Sequence, residues 1–127
     1  MRNRNKQATS ERTERWRRED AAPRLIAEAP SLRSLKLILK DIRAESSVPG
    51  KARVQHVIVA RAGARFEIPC SDPKCQDGGY DVTDDILRAL RTRCENFEGT
   101  APCRGIVRDQ ACRCSLLFVG HAEYASA

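Results

Sequence analysis

The chain of 127 residues carries a net charge of +6, and 41% of its residues are hydrophobic. This composition is globular rather than disordered, and the longest nearly apolar stretch, Ser115 to Gly120, is far shorter than the roughly 20 residues that a membrane helix needs. The basic N-terminus has no apolar segment that would make it a secretory signal, so we expect a cytoplasmic protein without membrane contact. In a reducing compartment, the six cysteines indicate metal ligands, reactive thiols or core residues more than disulfides.

The first 24 residues form a basic segment without core residues. They hold eight of the 23 Lys and Arg residues, and no Leu, Ile, Val or Phe precedes Leu25. Such a segment has too little apolar surface to pack a core of its own. We therefore predict two units: a basic arm of residues 1–24, partly helical or disordered, and a single zinc-stabilised domain of residues 25–127. Within the arm, Ser10 to Asp20 has the capping and ion-pair pattern of a short, marginal helix.

Residues 31–43 fit two patterns. Their leucines recur at the spacing of a helix, but from Leu35 to Leu39 they also alternate as in a strand. We favour the strand, because the β-branched run from Val54 to Ala60 follows a turn-rich connection and needs a partner. A further short strand, Arg65 to Ile68, ends at Pro69, which has no N–H to donate to a ladder.

The next pattern is that of one main helix over about residues 83–97. Asp81 or Thr83 can cap it, and two further carboxylates would lie in its first turn, where the helix dipole favours negative charge. Gly99 is a suitable stop. One apolar stripe at helical spacing would pack on the sheet, and it consists of Leu87, Leu90, Cys94 and Phe97.

Two strands are predicted after this helix, Cys103 to Val107 and Cys112 to Val119, with Ala122 to Tyr124 as a continuation. A turn at residues 108–110 joins them. The order of strands, helix and hairpin predicts an α+β domain in which one helix packs on a small antiparallel sheet.

Four cysteines have a spacing that suits one metal ion. Cys70 and Cys75 are separated by four residues and are soon followed by two glycines, so a tight turn can bring their sulfurs together. Cys103 and Cys112 lie on either side of the predicted turn of the hairpin. Four thiolates around zinc form a closed structural site with no open position for water. We therefore predict zinc as the cofactor, bound by Cys70, Cys75, Cys103 and Cys112.

Two cysteines and two histidines are left outside this ligand set. Cys114 lies on the same strand face as Cys112 and could replace it as the fourth ligand. Cys94 lies on the apolar stripe of the helix and is assigned to the core. His56 and His121 are interpreted as paired or surface histidines. Core or reactive thiols, and disulfides, remain the alternatives to zinc.

The segment from Cys70 to about Leu117 resembles zinc-ribbon and zinc-knuckle proteins, in which two Cys-bearing turns hold one ion. It differs from the usual ribbon in having CSDPKC in place of CxxC, and in placing a helix between the two ligand pairs. What the resemblance implies is a scaffold that binds nucleic acid or protein partners, and it does not imply a reaction.

The common catalytic motifs are absent from the sequence. It contains no GxxxxGK phosphate loop, no nucleophile elbow and no HExxH. His121 and Glu123 match the HxE of zinc deaminases, but no PCxxC follows them. We therefore expect a non-enzymatic protein with no catalytic residues and no small-molecule substrate.

Two functions from different classes fit the charge pattern. In the first, the basic arm and the hairpin associate with RNA, DNA or a ribonucleoprotein through phosphate contacts. In the second, the domain is an accessory or structural subunit that docks onto a larger protein assembly, with its arm on an acidic protein surface. A solvated arm that only maintains solubility is the third interpretation. The residues predicted to make the contacts are Arg2, Arg4, Lys6, Arg12, Arg15, Arg17 and Arg18 in the arm and Arg104, Arg108 and Arg113 in the hairpin.

Overall fold

The computed structural model describes residues 13–14, 17–18, 21–43, 52–72 and 74–126. The predicted α+β class is confirmed, because these residues form a four-stranded antiparallel sheet, two small two-stranded ladders and one helix longer than two turns. In chain order the described elements are α1 (Leu25–Glu28), β1 (Leu32–Arg43), β2 (Ala52–Val57), β3 (Glu67–Ile68), β4 (Tyr80–Asp81), α2 (Thr83–Arg91), β5 (Asn96–Pro102), β6 (Ile106–Val107), β7 (Gln110–Ala111) and β8 (Cys114–Tyr124). The four-stranded sheet has the order β2-β1-β8-β5, and the ladders are β3-β4 and β6-β7.

Strands β1 and β8 are the centre of the sheet. Their antiparallel pairing runs from Leu32 opposite Tyr124 to Arg43 opposite Cys114. Alternate residues of both strands are buried, as expected of a sheet with one covered face. The core on that face combines these residues with Ile86, Leu87 and Leu90 of α2.

The strand interpretation of residues 31–43 is confirmed, and the burial pattern gives the reason. Leu35, Leu37 and Leu39 are each at most 3% exposed, so the alternating set is the buried one. The helical alternative would have placed Ile42 in the core, whereas that side chain is 41% exposed. Pairing with β8 therefore favours a strand, whose side chains alternate between two faces, over a helix.

Helix α2 begins where the sequence predicted it. The Oδ1 atom of Asp81 accepts a hydrogen bond of 3.1 Å from the N–H of Thr83, although the N-cap position itself is occupied by Val82. Asp84 and Asp85 lie in the first turn, where their negative charges interact favourably with the positive end of the helix dipole. One of the free N–H groups at this helix end therefore has a carboxylate partner.

The end of the helix differs from the prediction, because α2 stops at Arg91 instead of near residue 97. The following residues form β5, in which Gly99 lies opposite Phe118. A Cβ atom on Gly99 would lie 2.5 Å from Cζ of the Phe118 ring. The glycine therefore does not stop a helix but makes room for an aromatic ring on the sheet.

This correction also changes the position of Cys94. It lies in the turn after α2, where Arg93 has a φ of +58° and the N–H of Cys94 donates to the carbonyl of Ala89 at 2.9 Å. The carbonyl of Cys94 accepts a hydrogen bond of 2.7 Å from the hydroxyl of Tyr124. Cys94 is half-buried and lies outside the hydrophobic core, so its assignment to the core is wrong.

The other predicted strands are present but shifted or shortened. The strand predicted at 54–60 is β2, which ends at Val57 before a turn closed by the N–H of Ala62 on the carbonyl of Ile58. The strand predicted from Arg65 is reduced to β3, and the one predicted from Cys103 is reduced to β6. The cysteines at 70, 75, 103 and 112 consequently lie in the connections between strands.

Among the described residues, main-chain pairing with the domain begins at Pro23. The carbonyl of Pro23 accepts a hydrogen bond of 2.7 Å from the N–H of Ala64, and Arg24 forms a β-bridge with Gly63. Thr13, Glu14, Arg17 and Arg18 have helical backbone, while the rest of the helix predicted from Ser10 to Asp20 lies outside the described residues. Among the described helices, none has the length and apolar character needed to cross a membrane.

Candidate metal centre

Two connections supply the four cysteines. Cys70 and Cys75 lie between β3 and β4, and Cys103 and Cys112 lie on either side of the β6-β7 hairpin. In that hairpin Arg108 and Asp109 have φ values of +50° and +62°, which gives a two-residue turn with both central residues in the left-handed region. The turn reverses the chain sharply, so Cys103 and Cys112 return to the same place despite their separation in sequence.

The four sulfur atoms converge on one point. The Sγ atoms of Cys70, Cys75, Cys103 and Cys112 all lie within 4.8 Å of one another. The Cys70–Cys112 distance is 4.0 Å and the Cys75–Cys103 distance is 3.7 Å. Zinc–sulfur bonds of about 2.3 Å in a regular tetrahedron place the sulfurs about 3.8 Å apart. The cluster therefore has the donor set and spacing to hold one tetrahedral metal ion.

The structure places Cys112, not Cys114, with the other three sulfurs. Cys112 precedes β8 and can turn toward the cluster, whereas Cys114 is the first residue of β8 and is paired with Arg43. Cys114 lies within 4.8 Å of Cys112 in a second group of donor atoms, which shares Cys112 with the first and includes a carboxylate oxygen of Asp72.

Backbone hydrogen bonds hold the two connections together. Gln76 and Ile106 exchange a pair of them, with N···O distances of 2.8 and 2.9 Å. The N–H of Arg104 donates to the carbonyl of Gly79 at 3.2 Å, and the N–H of Cys112 donates to the carbonyl of Gly105 at 2.8 Å. The cysteine positions are thus set by ordinary main-chain pairing in addition to any metal.

Two glycines allow the close approach of the sulfurs. A Cβ atom on Gly78 would overlap Sγ of Cys75 and would lie 3.2 Å from Sγ of Cys103. A Cβ atom on Gly105 would also overlap Sγ of Cys75 and would lie 2.6 Å from Cα of Gly78. Any side chain at either position would occupy the space of the cysteines, so both glycines belong to the site.

Each connection directs an N–H group at the first sulfur of its pair. The N–H of Asp72 lies 3.5 Å from Sγ of Cys70, and the N–H of Gly105 lies 3.4 Å from Sγ of Cys103. The offset is two residues in both cases. The hydroxyl of Tyr80 adds a third donor, 3.9 Å from Sγ of Cys70. Such donors favour the thiolate form that binds a metal.

The protonation of the thiols is coupled to their burial. Burial raises the pKa of Cys70 and Cys75 above the ordinary value of 9.0. Burial acts in the same direction on Cys112, but hydrogen bonds, first among them those from Cys114, outweigh it and lower the pKa of Cys112. Four adjacent thiols do not all ionise without a counter-charge, and a divalent cation supplies one.

The two histidines do not belong to this cluster. His56 is exposed on β2, and His121 on β8 has its Nδ1 atom 2.6 Å from Oδ1 of Asn96 on the neighbouring strand. The interpretation of His121 as a paired histidine and of His56 as a surface histidine agrees with these positions.

The arginines predicted to contact a partner fall into three groups. Arg104, Arg108 and Arg113 are exposed on the connection that carries Cys103 and Cys112, and Nη2 of Arg104 lies 4.0 Å from Oε1 of Glu67. Arg17 is exposed, while Arg18 is paired with Glu67 through its Nε atom at 3.2 Å. The remaining predicted residues of the arm lie outside the described part of the chain, and they are Arg2, Arg4, Lys6, Arg12 and Arg15.

Sequence patterns did not indicate three residues around the site. Tyr80 is 1% exposed, and its ring fills the space beside Cys70, where burial raises its pKa. Asp41 is a buried carboxylate on β1 that accepts a hydrogen bond from the N–H of Ser71. Glu67 on β3 is surrounded by arginines. A carboxylate within the alternating leucines of β1 was the available signal for Asp41; the other two follow only from the fold.

Comparison with known proteins finds no match: no protein-family model matches the chain, and neither a curated protein nor a solved structure matches it.

Proposed function

We propose that this chain is a zinc-binding module in which the ion has a structural role. The observation that carries the proposal is the convergence of four cysteine sulfurs within 4.8 Å. Four protein ligands complete a tetrahedral coordination shell and leave no position for a substrate or an activated water. The burial of Cys103 and Cys112 supports the same role, since structural ions are typically enclosed.

Zinc is the ion that this donor set favours. Tetrahedral sites of four thiolates are typical of zinc or iron, whereas calcium and magnesium prefer oxygen ligands. Metal analysis of the purified protein distinguishes zinc from iron, and we expect about one zinc per chain from the four-cysteine site. Cys70→Ser should remove this zinc, while Cys94→Ser should retain it because Cys94 lies outside the cluster. Iron in place of zinc would contradict the assignment.

The partner that we propose is a nucleic acid, contacted at its phosphates. Support comes from the exposed cationic side chains on the two Cys-bearing connections, Lys74, Arg104 and Arg108. An ordered ion would hold these connections rigid, so the charges would be presented in a fixed arrangement. Aromatic residues make up only 5% of the chain, so base stacking would contribute little and binding would depend strongly on salt.

A titration with labelled RNA and duplex DNA at low and moderate salt tests the partner. Arg108→Ala should weaken binding and reduce the salt dependence by about one charge contact. Arg88→Ala, an exposed arginine on α2, is the matched control and should bind as the wild type. No binding at low salt, or an equal effect of both variants, would contradict nucleic-acid association.

Protein docking is the second candidate, and one observation favours it. Val54 on β2 and Ile42 on β1 are 57% and 41% exposed. Val54 lies opposite Ile38, which in turn lies opposite Val119, on the sheet face away from the core. Exposed apolar side chains in one area suit a protein surface more than a phosphate backbone. Binding to an acidic polypeptide without binding to nucleic acid would favour this candidate.

A further inference from the structure

A second group of donor atoms adjoins the four-cysteine cluster. A carboxylate oxygen of Asp72, Sγ of Cys112 and Sγ of Cys114 lie within 4.8 Å of one another. Cys112 therefore belongs to both groups. Cys112 and Cys114 are buried, and Asp72 is half-buried. Two sulfurs and one oxygen at this spacing have the composition of a metal site that shares one ligand with its neighbour.

The ligands that are not shared are held by the fold. Cys114 is paired with Arg43 on β1, and its carbonyl accepts a hydrogen bond of 2.9 Å from the N–H of Cys103. The Oδ1 atom of Asp72 accepts a hydrogen bond of 2.9 Å from the N–H of Lys74, which fixes the carboxylate and leaves Oδ2 for a further partner. A cation would thus find these donors already in place, and a preorganised site loses little entropy on binding.

The charges around this group favour a cation. Asp41 is 7% exposed, and its Oδ2 atom accepts a hydrogen bond from the N–H of Ser71, the residue next to Asp72. Its Oδ1 atom accepts no hydrogen bond from the described residues and has the guanidinium of Arg53 at 3.5 Å. The Arg53 side chain is 46% exposed, so water screens that ion pair. The Asp72 carboxylate therefore lies beside a four-thiolate site whose zinc complex has a charge of −2, and the Asp41 carboxylate contacts the residue that precedes Asp72.

We infer that a second divalent cation binds between Asp72, Cys112 and Cys114, with the Cys112 thiolate bridging it to the ion of the four-cysteine site. The inference rests on the proposed zinc site, because Cys112 is shared. Binding releases the proton of the Cys114 thiol to solvent, and the cation brings two positive charges for the one negative charge that Cys114 gains. Three protein ligands leave the fourth position to water, so the second ion binds more weakly than the first.

Cadmium is a suitable probe, because each cadmium–thiolate bond contributes to an ultraviolet charge-transfer band. The full-length chain, stripped of metal and kept reduced, is titrated with Cd²⁺ and then analysed for bound cadmium. We expect two ions per wild-type chain and a charge-transfer band that grows in two steps. Asp72→Asn and Cys114→Ser should each bind one ion, and Cys94→Ser should bind two.

Asp72→Asn protects the test against misfolding, because asparagine keeps the acceptor for the N–H of Lys74 but is a poor ligand. Circular dichroism of each loaded variant verifies the fold. If the wild type binds one cadmium ion and Cys70→Ser binds none, the second site is overturned and the four-cysteine site is supported. Two ions retained in either Asp72→Asn or Cys114→Ser would also overturn it. No ion in the wild type would overturn both sites.

Discussion

Arg18 donates two hydrogen bonds to the carboxylate of Glu67, from Nε to Oε1 at 3.2 Å and from Nη2 to Oε2 at 3.4 Å. The Glu67 side chain is only 5% exposed and also accepts a hydrogen bond of 2.9 Å from Nη2 of Arg65. This carboxylate connects the predicted basic arm to β3, which directly precedes the first cysteine connection. Arg18, which was assigned to phosphate contact, is therefore already paired with an acidic group, and Arg104, also assigned to phosphate contact, lies 4.0 Å from the same carboxylate.

We expect Glu67→Gln to remove a pH-dependent contribution to stability. Burial by itself raises the pKa of Glu67, but hydrogen bonds from Arg65 and Arg18 outweigh it and lower the pKa below the ordinary 4.5. A lowered pKa in the folded state stabilises the fold above about pH 4.5, and this contribution is lost as the pH falls further. Urea unfolding of the metal-loaded wild type and variant at several pH values between about 4 and 7 checks this, because the pH dependence of metal binding is common to both proteins and cancels in their difference.

The two arginines that donate hydrogen bonds to Glu67 provide a control for this interpretation. Arg18→Ala should lower the free energy of unfolding by less than about 1 kcal/mol, because Arg18 is 45% exposed and solvent screens its charge. Arg65→Ala should cost more, about 1.5–3 kcal/mol, since Arg65 is 29% exposed and makes the shorter hydrogen bond. An equal cost for both arginines, or identical pH profiles for wild type and Glu67→Gln, would contradict this account.

Metal removal should unfold a large part of the domain. A structural zinc site contributes about 10–16 kcal/mol of apparent binding free energy, compared with about 5–15 kcal/mol for the stability of a whole domain. We expect that a chelator, or Cys103→Ser, abolishes the cooperative melting transition seen by calorimetry. Cys94→Ser should melt as the wild type. Unchanged melting after complete metal removal would exclude a structural role for the ion.

Metal affinity should rise steeply with pH across the neutral range. The ordinary thiol pKa of 9.0 lies above neutral pH, and burial raises the pKa of Cys70 and Cys75 further wherever the chain stays folded, so these thiols are protonated in the metal-free chain and must release protons when they bind. Competition with a chromophoric chelator at several pH values measures the affinity, and a pH indicator in weak buffer measures the protons released. A pH-independent affinity between about pH 6 and 8 would mean that the thiols are not the ligands.

Gly78→Ala and Gly105→Ala should weaken metal binding about 10–100-fold, since the added Cβ atom overlaps Sγ of Cys75 in both cases. Asp77→Gly in the same connection is the control. Asp77 has a φ of +56°, which glycine adopts without strain, so this change should leave the affinity unaltered. Wild-type affinity in both alanine variants would show that the sulfurs do not approach as closely as described.

Gly99→Ala distinguishes a strand from a helix at this position by the sign of its effect on the free energy of unfolding. In β5 the new Cβ atom would lie 2.5 Å from the ring of Phe118, so we expect a loss of about 1–3 kcal/mol of unfolding free energy. In a helix the same change would stabilise the chain by about 1 kcal/mol. Thr100→Ala, at the neighbouring exposed position, should have a small effect. Denaturant unfolding measures all three proteins.

Local patterns predicted the features that depend on neighbouring residues. The alternation from Leu35 to Leu39, the start of α2 and the turn at Arg108 each depend on a few adjacent side chains or on short hydrogen bonds. The grouping of Cys70 and Cys75 depends on a short connection for the same reason.

Long-range pairing decided the rest. Phe97 continues the apolar stripe predicted for the helix, but residues 96–102 form β5 because β8 offers a partner strand and Phe118 needs the space above Gly99. Cys112 and Cys114 are two residues apart, and only the start of β8 separates the one that joins the four-sulfur cluster from the one beside it. The position of Asp41 next to the first cysteine connection depends on contacts between residues 30 apart.

The amino-acid sequence therefore determined the class of fold, the alternating core strand and two cysteine pairs that could bind a metal ion, because these follow from periodicity and donor chemistry over short distances. Only the tertiary structure decided where α2 ends, which sulfur joins the cluster and which charged groups surround it. Those outcomes depend on the packing of segments far apart along the chain, and the free energy of such contacts cannot be inferred from any short stretch of sequence.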